Sequence, residues 1–187
     1  YGGVLSGTIS VTDLEGIEGQ IADIQLRATD FNLGETVSAA TGSPDLGGTA
    51  TMSLDLATRG GTLGAQADGL TGSLSVVATE GGIPDFGLGA ASDALAAGTP
   101  LHGVSRGGAT FYQRLKIACI IGNGRIVLND LLLAAGNYTA SLQGTFGVAD
   151  RRIGLAGSIG AGGEDGRQGQ LRINGPVTGP TVTLTLP

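Results

Sequence analysis

Strict alternation of apolar and polar side chains is the feature that most limits what this chain can fold into, and it is densest between residues 107 and 159. There Leu115, Ile117, Cys119 and Ile121 alternate with Lys116, Ala118 and Ile120, and a Gly-Asn-Gly turn follows at 122–124. Ile126 and Leu128 then lie opposite Arg125, Val127 and Asn129. Tyr138, Ala140, Leu142, Gly144 and Phe146 alternate with Thr139, Ser141, Gln143 and Thr145, and Ile153, Leu155, Gly157 and Ile159 make a further run. A period of two belongs to strands, whose successive side chains point to opposite faces. Runs joined by Gly-Asn-Gly predict a hairpin, and their succession predicts an antiparallel meander. Just before it, Thr110 is expected to cap one helical turn containing Phe111 and Leu115.

The same period governs the rest of the chain. Leu5, Gly7, Ile9 and Val11 face away from Ser6, Thr8, Ser10 and Thr12, and after a turn at 13–19, Ile24, Leu26 and Ala28 alternate with Gln25, Arg27 and Thr29. Ala50, Met52, Leu54 and Leu56 oppose Thr49, Thr51, Ser53 and Asp55. Leu74, Val76 and Ala78 oppose Ser73, Ser75 and Val77, and the pair Gly81 and Gly82 ends that run. A brief strand at 171–173 and the alternation of Val182, Leu184 and Leu186 with threonines complete about ten strands, mostly antiparallel by their short connections.

Helical spacing is rarer. Leu63, Ala67 and Leu70 predict a short helix; Leu88, Ala91, Ser92 and Leu95 predict another from about Phe86 to Ala97, capped by Asp85 and stopped by Gly98 with Pro100 beyond. Its far side is glycine and alanine, which suits close packing on a sheet. Residues 101–108 and 160–169 read as loops, and 31–48 as loop or at best a poor helix. The expected fold is one mainly β domain spanning 1–187, with one to three short helices.

Composition narrows the function. With 36 glycines, 4% aromatic residues and no tryptophan, the interior must be built from small aliphatic side chains. A net charge of −6 and a pI near 4.5 argue against a nucleic-acid partner. Cys119 is the only cysteine, so no internal disulfide or cysteine-based zinc site can form; it reads as a small apolar strand residue. No apolar run reaches the roughly 18 residues of a membrane-spanning helix, and four Phe with three Tyr are too few for the aromatic girdles of a transmembrane barrel. The chain starts at Tyr1 with no signal-peptide pattern, which reads as a fragment or a processed product.

Catalytic ingredients are sparse. His102 is the only histidine and stands near Ser105 in a segment read as a solvated loop. Asp13, Glu15 and Glu18, or Glu164 and Asp165, could gather round a calcium ion, but solvated loops explain them more simply. Arg151 and Arg152 after Asp150 read as a soluble hairpin turn, with contact to anionic lipid as the sharper alternative. The glycines of GGATF and GNG lack the lysine followed by Ser or Thr of a phosphate loop. No enzyme, metal or cofactor is expected.

The order of these elements resembles the C-terminal region of AsmA-like proteins, bacterial envelope proteins that include the TamB and YhdP groups. The resemblance rests on Thr110 and Phe111, Leu115, Asn123 and Gly124, Asp130 with Leu131 and Leu133, and residues 144–148. Upstream it takes in 48–56, the segment around Leu63, 70–72 and 81–88; downstream, Ile173, Gly175 and Pro180. It implies a sharply curved β-sheet with an apolar concave groove and a helix packed on it. It also implies a periplasmic location with an inner-membrane anchor outside this sequence, a phospholipid or membrane surface and neighbouring domains as partners, and a role in phospholipid transport and outer-membrane integrity. An open sheet leaves edges to be covered, so the native polypeptide is expected to extend beyond residue 1. The candidate lipid-facing or core residues are Ile9, Val11, Ile24, Leu26, Met52, Leu54, Leu74, Val76, Ile117, Ile126, Leu128, Leu142, Phe146, Leu155, Val182 and Leu184. The alternative reading is a structural β-rich module, a solenoid or adhesin segment without lipid.

Overall fold

The structure is a computed structural model that describes residues 2–13, 19–41, 47–83, 87–104, 108–147, 149–162 and 166–187. Its strands are β1 (Val4–Asp13), β2 (Gln20–Asn32), β3 (Thr49–Gly60), β4 (Thr71–Ile83), β5 (Leu101–Val104), β6 (Thr110–Gly122), β7 (Arg125–Ala135), β8 (Tyr138–Gly147), β9 (Arg152–Ala161), β10 (Gln168–Pro176) and β11 (Thr181–Thr185). The helices are α1 (Leu33–Thr41), α2 (Leu63–Asp68) and α3 (Gly89–Ala97). All eleven strands join one antiparallel sheet in the order β1-β2-β3-β4-β6-β7-β8-β9-β10-β11-β5, which has two free edges and is not closed.

Only β5 breaks sequential order. The chain leaves β4, forms α3, pairs β5 with β11 at the far edge, and returns to lay β6 beside β4. This detour forces curvature. Six strand spacings separate β6 from β5, about 29 Å in a flat sheet, whereas the six Cα steps from Val104 to Thr110 reach at most about 22 Å. The sheet must therefore curl, and α3 lies inside the curl against β5, β9 and β11.

Glycine lets the sheet bend where side chains would obstruct it. Gly144 has φ +156°, and a Cβ there would come 1.9 Å from the Gly154 carbonyl oxygen of β9. Gly169 is buried beneath α3, where a Cβ would meet Leu184 at 2.6 Å and Leu95 at 3.4 Å.

The hairpin at 122–124 forms as expected, with Asn123 and Gly124 both at positive φ, as a two-residue type I′ turn requires. Helix α3 begins three residues later than the sequence suggested, and the proposed cap Asp85 lies outside the described residues. Its end is as expected. Gly98 is left-handed, its N–H and that of Thr99 bond to the carbonyls of Leu95 and Ala94, and the Arg167 guanidinium donates to the Ala96 carbonyl at 2.8 Å, a favourable place for a cation.

Four expectations need correcting. The stretch after Phe31 is not mainly loop but takes up the helix held as the lesser option: β2 runs to Asn32 and α1 follows. There the Asn32 side chain accepts the Glu35 N–H at 3.0 Å as an N-cap does, while its amide donates to the Glu35 carboxylate at 3.3 Å. Residues 101–104 are strand, held by β11 rather than by any local signal. Thr110 starts β6 and caps no turn of its own; its hydroxyl accepts the Leu88 N–H at 2.9 Å and so ties the start of α3 to the sheet. The segment 160–169 is not all loop, because β9 continues to Ala161 and β10 begins at Gln168.

Candidate functional site: an apolar face covered at one end

Strand register converts the alternation into rows that run across one face of the sheet. One row is Phe31, Ala50, Ala78, Leu115, Leu133, Ala140, Ile159 and Gly169. The next is Leu5, Ala28, Met52, Val76, Ile117, Leu131, Leu142, Gly157, Leu171, Leu184 and Leu101. A third is Gly7, Leu26, Leu54, Leu74, Cys119, Leu128, Gly144, Leu155, Ile173, Val182 and Gly103. The fourth is Ile9, Ile24, Leu56, Gly72, Ile121, Ile126, Phe146, Ile153 and Gly175. Val11 begins a shorter row with Ala22 and Thr58.

Keeping these rows continuous needs a slip in β7. Its register shifts between Leu128 and Leu131, against both neighbours, so that Ile126 and Leu128 face inward before the bulge and Leu131, Leu133 and Ala135 after it. A similar shift between Ala28 and Phe31 keeps Phe31 inward. All sixteen candidate residues fall on this one face. Leu5, Leu56, Ile121 and Ile153 share its rows and were visible through the same alternation.

Cover over the face is uneven. The Phe31 row is buried along its whole length, and Leu88, Ala91 and Leu95 of α3, which packs on β5, β9 and β11, join Leu142, Ile159, Leu171 and Leu184 in one buried cluster. Burial fades along the strands towards the 122–124 turn and across the sheet towards β1. Ile24, Leu56, Ile121, Ile126, Phe146 and Ile153 are half-buried, while Leu5, Ile9 and Val11 are 68%, 67% and 61% exposed. Arg59, Arg125 and Arg152 lie near the less covered end, but alternation with Thr58, Ile126 and Ile153 sets them on the opposite face of the sheet.

Polar groups on the covered face are few and satisfied. Tyr112 donates to the Gly47 carbonyl, and burial pushes its phenol above its usual range. Tyr138 is shifted the same way by burial, opposed by a hydrogen bond with Thr110. Burial likewise raises the Cys119 thiol, opposed by a backbone bond with Leu74. Cys119 is free and buried, as a small apolar strand residue would be.

The opposite face is hydroxyl-rich. It carries one ion pair, Lys116 to Asp130 at 2.8 Å, among the described residues, and an exposed apolar trio of Ile120, Val127 and Leu132. A depression of about 480 Å³ opens beside Arg114, Lys116 and Leu132.

Candidate catalytic groups are not brought together. His102 lies in β5, not in a loop, with Nδ1 2.9 Å from the Thr183 hydroxyl of β11; Ser105 lies outside the described residues. Glu15, Glu18, Glu164 and Asp165 lie outside them too, and Asp13 ends β1. Among the described residues no three His, Cys, Asp or Glu side chains form a metal-binding group, and no helix is long and apolar enough to cross a membrane. The fold therefore defines a class: an open, curled antiparallel sheet with one apolar face and a helix inside the curl. No family model, curated protein or solved structure matches the chain.

Proposed function

We propose that this chain is a noncatalytic, lipid-contacting module of a bacterial envelope protein of the AsmA-like kind, and that its apolar face shelters phospholipid acyl chains. In this reading it works in the periplasm, tethered to the inner membrane by a segment outside this sequence, and contributes to phospholipid transport and outer-membrane integrity. The observation that carries the proposal is the row from Ile9 to Ile153, apolar across eight strands apart from one glycine and only partly covered.

An ordinary core would be covered on this face, as the Phe31 row is. Strands of ten to thirteen residues span about 33–43 Å, so the face can follow a long acyl chain. Each sheltered methylene contributes about 0.8 kcal/mol; six offset about 5 kcal/mol of the cost of leaving a bilayer.

Titration with a fluorescent phospholipid analogue tests the reading. Saturable binding is expected, weakened about tenfold or more by Ile126→Asp, which sets a carboxylate in the partly covered row. Absence of binding would leave the structural β-module.

A further inference from the structure

Charge is unevenly divided along the chain. Residues 1–100 carry two Lys or Arg against twelve Asp or Glu, whereas residues 101–187 carry eight against four, in a chain whose net charge is −6. Alternation decides where the cations of the second half go. Arg114 and Lys116 in β6, Arg125 in β7, Arg152 in β9 and Arg172 in β10 all fall on the face opposite the apolar rows. These strands lie inside the sheet, between β4 and β11. The acids beside them are engaged: Asp130 pairs with Lys116 at 2.8 Å, and Asp150, in the turn between β8 and β9, accepts the Arg152 N–H at 3.2 Å. Among the described residues Arg114, Arg125 and Arg172 have no carboxylate partner.

Arg114 and Arg125 stand at opposite ends of the exposed trio Ile120, Val127 and Leu132, and from Arg114 the depression of about 480 Å³ runs past Thr139, Ser141 and Ser158. An apolar centre with arginines at its rim is the anatomy of a protein interface, and the planar fork of a guanidinium matches a carboxylate. We propose that this face docks an extended acidic segment of a partner protein, its carboxylates on Arg114 and Arg125 and its aliphatic side chains on Ile120, Val127 and Leu132. Register sets the two arginines eight residue steps apart along the strands, about 27 Å, the reach of about eight extended residues. A bilayer fits less well: it is flat where this face is hollowed, and the face carries none of the aromatic side chains that anchor proteins at lipid interfaces. Because the face lies opposite the apolar rows, the proposal stands apart from lipid sheltering.

Selection of a displayed random octapeptide library on the intact chain tests this. Peptides with Asp or Glu towards both ends and aliphatic residues between them are expected to be enriched. The most enriched, synthesised with a fluorophore, should bind in an anisotropy titration that weakens with added salt. Binding should fall about tenfold or more in the double variant Arg114→Glu, Arg125→Glu and in Leu132→Asp, each with an unchanged circular dichroism spectrum. Ile126→Asp, directed to the apolar face, should leave it unchanged. Enriched peptides without an acidic bias, binding indifferent to the charge reversal or to Leu132→Asp, or an equal loss with Ile126→Asp would each overturn the proposal. So would phosphatidylglycerol vesicles that bind the chain and lose it on the same charge reversal, since the face would then belong to a membrane.

Discussion

Truncating Leu95 and Ile9 to alanine should separate the two ends of the apolar face. Leu95 is 0% exposed, wedged by α3 against Leu184 and the gap left by Gly169. Its removal loses the transfer energy of the deleted carbons and leaves a cavity that a rigid sheet cannot close. A cost of about 3–5 kcal/mol follows, lowering Tm by roughly 10 °C for a chain of this size. Ile9 is 67% exposed, so only about a third of a side chain's usual 1.5–3 kcal/mol of burial is at stake. Ile9→Ala should therefore cost under about 1 kcal/mol and shift Tm by no more than about 3 °C. Urea unfolding followed by circular dichroism measures both. Equal destabilisation by the two variants would refute the division into a covered and an open end, as would a loss below about 1 kcal/mol for Leu95→Ala.

Other expectations follow from single contacts. Gly144→Ala drives a Cβ into the Gly154 carbonyl and strains a positive φ, and should lower stability by about 2 kcal/mol or more in urea titration. Thr110→Val leaves the buried Leu88 N–H without its acceptor and should cost about 1–3 kcal/mol in thermal unfolding. Burial raises Tyr112, Tyr138 and Cys119, so the folded state holds their protons longer than the unfolded chain. Their contribution to stability is therefore full below the unfolded values and declines as the solution passes above about pH 9–10. A stability profile that stayed flat through pH 11 would contradict the burial of these groups.

The rows were legible in the sequence because alternation is local: Leu26, Leu54 and Leu74 announce their face within their own strands, and register only aligns them. What long-range pairing decides was not legible. β5 is too short to carry a period, and its partner β11 lies some eighty residues downstream. The bulge in β7 falls between Leu128 and Leu131, and the consecutive leucines at 131–133 that follow it carry no alternation to mark the change of parity. Thr110 looked like a local cap because its real partner, Leu88, is set by the packing of α3. By contrast, α1 had a readable signal, Asn32 three residues before Glu35, in a segment otherwise poor in apolar period.

The most direct measurement is to purify the chain from a bacterial envelope, extract it with organic solvent and identify bound lipid by mass spectrometry. The account predicts phospholipid retained in a fixed ratio to protein and depleted by Ile126→Asp in chains that remain folded. Protein free of lipid after every preparation, together with no uptake of added phospholipid, would contradict it.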